Sequence, residues 1–171
     1  MGMERRKEIL SAIRERPGTT FRELARELGI GIGDLQYHLY RLEKEGLVVS
    51  KRVGRRRYLF PRGLEGEAQR LLIAISTETR RKILLLLMEG EMTQGEIARR
   101  LNLSQPTVSY HMGELVKLGI VKSRKDGRSV SYSLSYDPAT IARVVKNYRP
   151  SLWERLADNL IDLLTSMGDE E

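Results

Sequence analysis

Leu35-Gln36-Tyr37-His38-Leu39-Tyr40-Arg41-Leu42-Glu43-Lys44-Glu45-Gly46-Leu47-Val48 returns 73 residues later as Val108-Ser109-Tyr110-His111-Met112-Gly113-Glu114-Leu115-Val116-Lys117-Leu118-Gly119-Ile120-Val121. The two histidines of the chain, His38 and His111, fall at the same place in both copies. Leu35, Leu39 and Leu42, like Val108, Met112 and Leu115, recur at helical spacing; a glycine then ends each helix and apolar strand-forming residues follow. The same offset aligns Leu10 with Ile83, Ile13 with Leu86, Leu24 with Ile97, Ala25 with Ala98, Leu28 with Leu101 and Gly54 with Gly127. Two copies of one small unit therefore make up most of the protein.

Working outward from the first stretch, Ile9, Leu10 and Ile13 lie on one side of a helix over 3–15, which Pro17-Gly18 ends. Thr20 with Glu23 forms a capping-box pattern for a second helix carrying Leu24, Ala25 and Leu28. The glycines at 29, 31 and 33 read as a turn, and the third helix is expected from about Asp34. Leu47–Arg52 and Arg57–Phe60 read as two strands around Val53-Gly54-Arg55, with Pro61 closing the unit. The second copy follows suit, with a first helix over Ile83, Leu86 and Leu87, a capping box at Thr93 and Glu96, and Ser104 as N-cap before Pro106. Its strands, Ile120–Lys125 and Ser129–Leu134, turn at Asp126-Gly127. Three helices and a hairpin in that order make a winged helix. The expected fold is α+β, mainly α: a winged-helix domain at 1–62, a linker helix at 63–76, a second winged-helix domain at 77–136 and C-terminal helices at 137–171.

Composition narrows the function. The net charge is +7, with Lys and Arg outnumbering Asp and Glu by 15 to 9 over residues 1–66 and by 11 to 7 over 67–136, while 137–171 reverses the balance at 4 to 7. A basic excess confined to the repeats points to a polyanionic partner. The absence of cysteine excludes disulfides and sulfur-ligated zinc, and two histidines in different copies make no metal site. No phosphate-binding G-x-x-x-x-G-K motif or catalytic constellation is present, so neither cofactor nor enzyme activity is expected. No apolar run would span a bilayer and the N-terminus lacks a signal-peptide core, so a cytoplasmic location without membrane association is expected.

In a helix-turn-helix the third helix can enter a DNA major groove. Its outward residues are Gln36, Tyr37, Tyr40 and Arg41 in the first copy, and Gln105, Thr107, Ser109 and Tyr110 in the second. Gln can pair with adenine, hydroxyls donate or accept, and a Thr methyl can meet a thymine methyl. The hairpins supply charge: Lys51, Arg52, Arg55, Arg56 and Arg57 in the first, Lys122, Arg124, Lys125 and Arg128 in the second. Phosphates are their natural partners, and an arginine at a wing tip could enter a minor groove. His38 and His111 each precede an inward residue and read as partly buried side chains.

The stretches Leu35–Val48 and Leu103–Met112 resemble the third helix of ArsR/MarR-type winged-helix regulators. As a tandem pair with C-terminal helices, the chain resembles archaeal two-winged-helix transcription regulators, including the euryarchaeal archaellum regulator group. That resemblance implies double-stranded DNA as partner, binding near promoters, and helping or blocking the basal transcription factors. The chain lacks the cysteine ligands of metal-sensing ArsR proteins, so metal sensing is not carried over. The competing expectation is a protein-interaction scaffold of tandem winged helices, associated with chromosome condensation or RNA polymerase and binding DNA nonspecifically.

Beyond Asp137-Pro138, Ile141, Val144, Val145 and Tyr148 give an amphipathic helix that Pro150 breaks. Trp153, Leu156, Leu160, Leu163 and Met167 then recur at steps of three and four, with Leu164 widening the stripe. Such a seam calls for an apolar partner. Homodimerisation is the expected use, and packing against the chain's own segment Leu64–Ile75 is the alternative.

Overall fold

The computed structural model describes residues 2–158. Leu160, Leu163, Leu164 and Met167, expected to continue the dimerisation seam, lie outside the described residues. The chain divides into two compact units, residues 1–73 and 74–171.

In the first unit the order is α1 (Gly2–Glu15), β1 (Thr19–Thr20), α2 (Phe21–Leu28), α3 (Ile32–Lys44), β2 (Val48–Val53), β3 (Arg56–Pro61) and α4 (Gly66–Ala74). Thr20 caps α2 reciprocally with Glu23: its hydroxyl accepts from the Glu23 amide at 3.2 Å, and its own amide donates to the Glu23 carboxylate at 3.2 Å. Two donors that the helix would otherwise leave unsatisfied are thus paired. Gly29 ends α2 with φ +64°, a left-handed conformation suited to a residue without Cβ. α3 begins two residues earlier than expected. Gly31, in an extended conformation, serves as the N-cap, so Gly33 lies inside the helix rather than in the turn. Leu35, Leu39 and Leu42 are fully buried in a core shared with Ile9, Ile13, Leu24 and Leu59, and Leu10 packs half-buried at its margin.

β1, a strand of two residues, escaped the sequence reading because periodicity needs a longer run. It pairs antiparallel with β3, placing Thr19 against Leu59 and Thr20 against Tyr58, so the three strands lie in the order β1-β3-β2. Val53 faces Arg56 across the hairpin, leaving Gly54-Arg55 as a two-residue loop with Gly54 at φ +61°. The segment expected as a linker, 63–76, is divided between the units after residue 73, and in its first part Leu72 of α4 would lie 3.4 Å from a Cβ at Gly18.

The second unit runs α5 (Glu78–Leu87), β4 (Met92–Thr93), α6 (Gln94–Leu101), α7 (Gln105–Lys117), β5 (Val121–Asp126), β6 (Ser129–Leu134) and α8 (Pro138–Tyr148), with residues 150–158 helical after a break at Arg149. Its sheet order, β4-β6-β5, repeats that of the first unit. Thr93 and Glu96 form the second capping box, and Ser104 caps α7 by accepting from the Thr107 amide. Asn102 occupies the position equivalent to Gly29 and takes φ +53°, which asparagine tolerates better than most residues. Asp126 belongs to the strand, opposite Ser129, and the loop is Gly127-Arg128; the expected turn lies one residue further on. Each wing therefore carries a Gly-Arg tip. Val108, Met112 and Leu115 are fully buried, matching the α3 stripe, and Ile141, Val144 and Val145 of α8 are buried as well.

Truncating Met112 to Ala is expected to cost about 2–5 kcal/mol of stability, as for other buried large-to-small changes. Thr20→Ala or Thr93→Ala is expected to cost about 1 kcal/mol, the usual worth of an N-cap. Urea denaturation checks both; equal losses would contradict the burial of Met112.

Candidate nucleic-acid interface

Because the buried stripe sets the rotation of α3, Gln36, Tyr37, Tyr40 and Arg41 all face solvent. Tyr37 is 55% exposed and its hydroxyl accepts from Arg41 Nη1 at 3.1 Å, which couples two of the expected base-reading residues. The ammonium of Lys44 lies 5.9 Å from the ring centre of exposed Tyr40. Beside them, a cleft of about 540 Å³ is lined by Gln36 together with Arg22 and Arg26 of α2 and Arg52, Arg55, Arg56 and Arg57 of the wing.

These arginines are not equivalent. Arg57 is only 13% exposed; its Nη2 meets Glu43 Oε1 at 2.6 Å, its Nη1 donates to Gln36 Oε1 at 2.7 Å, and its guanidinium stands 5.5 Å from the Phe21 ring centre. Such a bidentate, ring-backed arginine is committed inside the unit and orients the Gln36 amide. Arg52, Arg55 and Arg56 are exposed and have no ion-pair partner among the described residues. Lys51 is half-buried on the same hairpin. Holding several unneutralised cations together is costly in water unless an anion is met, and the phosphate backbone is such an anion.

The second unit presents the same face with different chemistry. Lys122, Lys125 and Arg128 are exposed, with no ion-pair partner among the described residues, whereas Arg124 is engaged by Glu91 at 2.9 Å. Gln105, Ser109 and Tyr110 are exposed, Tyr110 to 62%. Thr107 is half-buried and its hydroxyl lies 2.7 Å from that of Ser104, so the cap occupies it and the methyl is what remains for a base. Gln94 Nε2 donates to Gln105 Oε1 at 3.0 Å, and buried Tyr132 donates to Gln94 Oε1 at 3.1 Å. Gln94, Tyr132, Glu43 and Phe21 escaped the sequence reading. Their partners are 11 to 38 residues away in the chain, beyond any local pattern, although the substitution of Gln94 for Phe21 across the repeat could have flagged them.

His38 is buried, with Nε2 3.8 Å from Asp34 Oδ1, and His111 is half-buried. Each ring is edge-on to the preceding tyrosine, at 5.4 Å in the first unit and 5.3 Å in the second. Both histidines thus brace a solvent-facing tyrosine. Among the described residues no cluster of three or more His, Asp or Glu could hold a metal ion, and no helix is long and apolar enough to cross a membrane.

Of the expected dimerisation residues, Trp153 and Leu156 are half-buried and line an apolar groove with Leu84 and Leu85 of α5, Met88 at its C-cap, and Ile141 and Val145 of α8.

The family described as bacterial regulatory protein, arsR family, matches residues 77–123, and a second one, an N-terminal helix-turn-helix domain, matches residues 3–72. An uncharacterized HTH-type transcriptional regulator of Methanocaldococcus jannaschii is 35% identical over 130 residues, covering 76% of this chain and 33% of that protein. The transcriptional repressor SdpR of Bacillus subtilis is 44% identical over 62 residues, covering 36% of this chain and 69% of its own. The solved structure of HlyU from Vibrio cholerae is 37% identical, with a TM-score of 0.43, covering 47% of this chain and 90% of that one. The chain thus spans a third of the archaeal regulator and about two thirds of the Bacillus repressor. It belongs to the ArsR-type winged-helix regulators. Within them it is a tandem form, in which an N-terminal helix-turn-helix domain precedes the ArsR-type one.

Burial raises the pKa of Tyr132 above the ordinary value of 10.0. The folded state therefore binds the phenolic proton more tightly than the unfolded state does, and the corresponding stability is complete below pH 10 and is lost as pH rises through the folded pKa. Ultraviolet titration should show a phenolic component ionising above the ordinary tyrosine range, and Tyr132→Phe should remove it. Arg57→Ala, which strands Glu43 and Gln36, is expected to cost about 1–3 kcal/mol in urea denaturation.

Proposed function

We propose that this protein is a sequence-specific, double-stranded DNA-binding transcription regulator acting at promoters. In this reading α3 and α7 lie in the major groove, where Gln36, Tyr37, Tyr40 and Arg41, and Gln105, Thr107, Ser109 and Tyr110, face base edges. Lys51, Arg52, Arg55, Arg56, Lys122, Lys125 and Arg128 meet phosphates, with Arg55 and Arg128 at tips that reach toward a minor groove. Arg57 and Arg124, already paired within the chain, act chiefly as positioning residues. The observation that carries the reading is the coincidence, in one cleft, of the unpaired wing arginines Arg52, Arg55 and Arg56 with Gln36 of the recognition helix. The relatives named as a repressor and as an HTH-type regulator support the same class.

The protein acts as a homodimer in this proposal. Trp153 and Leu156 border an apolar groove, and the spacing of Leu160, Leu163, Leu164 and Met167 continues their stripe. Four winged helices would then address a long or two-part site.

Selection of genomic fragments by the full chain at near-physiological salt tests the function. A recurrent promoter-proximal site supports a regulator; no enriched sequence would instead favour a protein-interaction scaffold. The division among the arginines gives a sharper expectation. Replacing Arg55 and Arg56 with Ala should weaken binding to every duplex and lower the slope of log K against log salt by about one for each phosphate no longer neutralised. Arg57→Ala should leave that slope nearly unchanged and alter sequence preference, because it releases Gln36.

A further inference from the structure

Gln105 is held in a way that has no counterpart in the first unit. Gln94 opens α6 and Gln105 opens α7, so the two amides meet at the adjoining N-termini of the helix-turn-helix. Gln94 Nε2 lies 3.0 Å from Gln105 Oε1 and 3.5 Å from the Gln105 main-chain oxygen. A main-chain oxygen only accepts, so the edge of Gln94 turned toward it has to be the nitrogen. Gln94 Oε1 is then left to Tyr132, whose hydroxyl sits 3.1 Å away and donates. Burial keeps that phenol protonated.

The chain of hydrogen bonds therefore has a direction. It runs from Tyr132 through Gln94 to Gln105, occupies a lone pair on Gln105 Oε1, and leaves Gln105 Nε2 without an acceptor among the described residues. Nε2 lies over Gly95, 3.6 Å from where a Cβ would stand, which puts the amide in contact with α6. At the equivalent positions of the first unit, Phe21 replaces Gln94 and Leu59 replaces Tyr132, and neither can relay a proton donor.

We propose that the Tyr132–Gln94 relay fixes the polarity of Gln105, so that Gln105 meets the major groove as a hydrogen-bond donor and selects a keto-bearing base, guanine or thymine. Guanine presents N7 and O6, and thymine presents O4, all acceptors for Nε2. Adenine's two-point pairing with Gln also needs Oε1 to accept from the N6 amino group, and so competes for an oxygen of which the relay holds one of the two lone pairs. Cytosine offers an amino donor alone. Gln94 and Tyr132 are thus positioning residues that set specificity without touching a base. The inference rests on the reading that α7 enters the major groove.

Two substitutions separate polarity from simple packing. Gln94→Glu turns the central link into an acceptor on both oxygens: Tyr132 still donates to one, and the other draws Gln105 Nε2, which turns Oε1 outward. Tyr132→Phe removes one hydroxyl and leaves the buried ring in place, so the Gln94 amide keeps only its 3.5 Å contact with the Gln105 main-chain oxygen to set its direction. Each full-length variant, with Gln105→Ala and the unsubstituted chain, would be used to select from a randomised duplex library at near-physiological salt. The position read by Gln105 is the one whose preference Gln105→Ala abolishes. There the unsubstituted chain should enrich guanine or thymine by about tenfold over adenine and cytosine. Gln94→Glu should reverse the preference toward adenine or cytosine, and Tyr132→Phe should weaken it. Overturning results are a preference for adenine or cytosine in the unsubstituted chain, no position sensitive to Gln105→Ala, or an unchanged preference in both relay variants. Failure of the chain to enrich any sequence would instead overturn the major-groove reading, and the relay's role with it.

Discussion

Everything the protein offers to a partner depends on the rotation of two helices about their own axes. Leu35, Leu39 and Leu42 in α3, and Val108, Met112 and Leu115 in α7, are fully buried, and each stripe admits one phase of its helix. A slip of one residue would turn the stripe by about 100° and bury Gln36, Tyr40 and Glu43 in place of the three leucines of α3. The buried stripe thus determines which side chains face outward. The caps secure the other degree of freedom, where each helix begins: Thr20 and Thr93 start α2 and α6 through reciprocal pairs with Glu23 and Glu96, and Gly31 and Ser104 start α3 and α7.

On this shared frame the two units hold their outward residues by different chemistry. The first uses an ionic clamp in which Arg57 joins Glu43 and Gln36 and lies against Phe21. Across the repeat, Val130 replaces Arg57, Val116 replaces Glu43 and Gln94 replaces Phe21, so the clamp has no counterpart. The second unit instead has the neutral relay from Tyr132 through Gln94 to Gln105. A charged clamp withstands the field of neighbouring wing arginines, whereas a neutral relay fixes orientation without adding charge beside the bases. Each wing carries three exposed cations without an ion-pair partner among the described residues, within five residues at Arg52, Arg55 and Arg56 and within seven at Lys122, Lys125 and Arg128.

The C-terminal region obeys a different rule. Ile141, Val144 and Val145 of α8 are buried, and Ile141 and Val145 line an apolar groove with Leu84 and Leu85 of α5 and the half-buried Trp153 and Leu156. The balance of charge changes here from basic to acidic, which disfavours a role on DNA and favours apolar association.

Sequence alone determined the architecture. The repeat, the capping boxes and the buried stripes were all legible, because each arises from residues within a turn or two of one another, where helical period and cap chemistry act locally. The same locality explains what was missed. β1 and β4 are two residues long and exist only because β3 and β6 supply an edge to pair with. Counting cations on the wings placed Arg57 and Arg124 beside Arg55 and Arg128 as equals; only the tertiary structure, by bringing up Glu43 and Glu91, separated engaged arginines from available ones. The direction in which Gln105 presents its amide was decided in the same way. It depends on Tyr132, 38 residues beyond Gln94 in the chain, and a hydrogen bond between side chains so distant leaves no trace in local spacing.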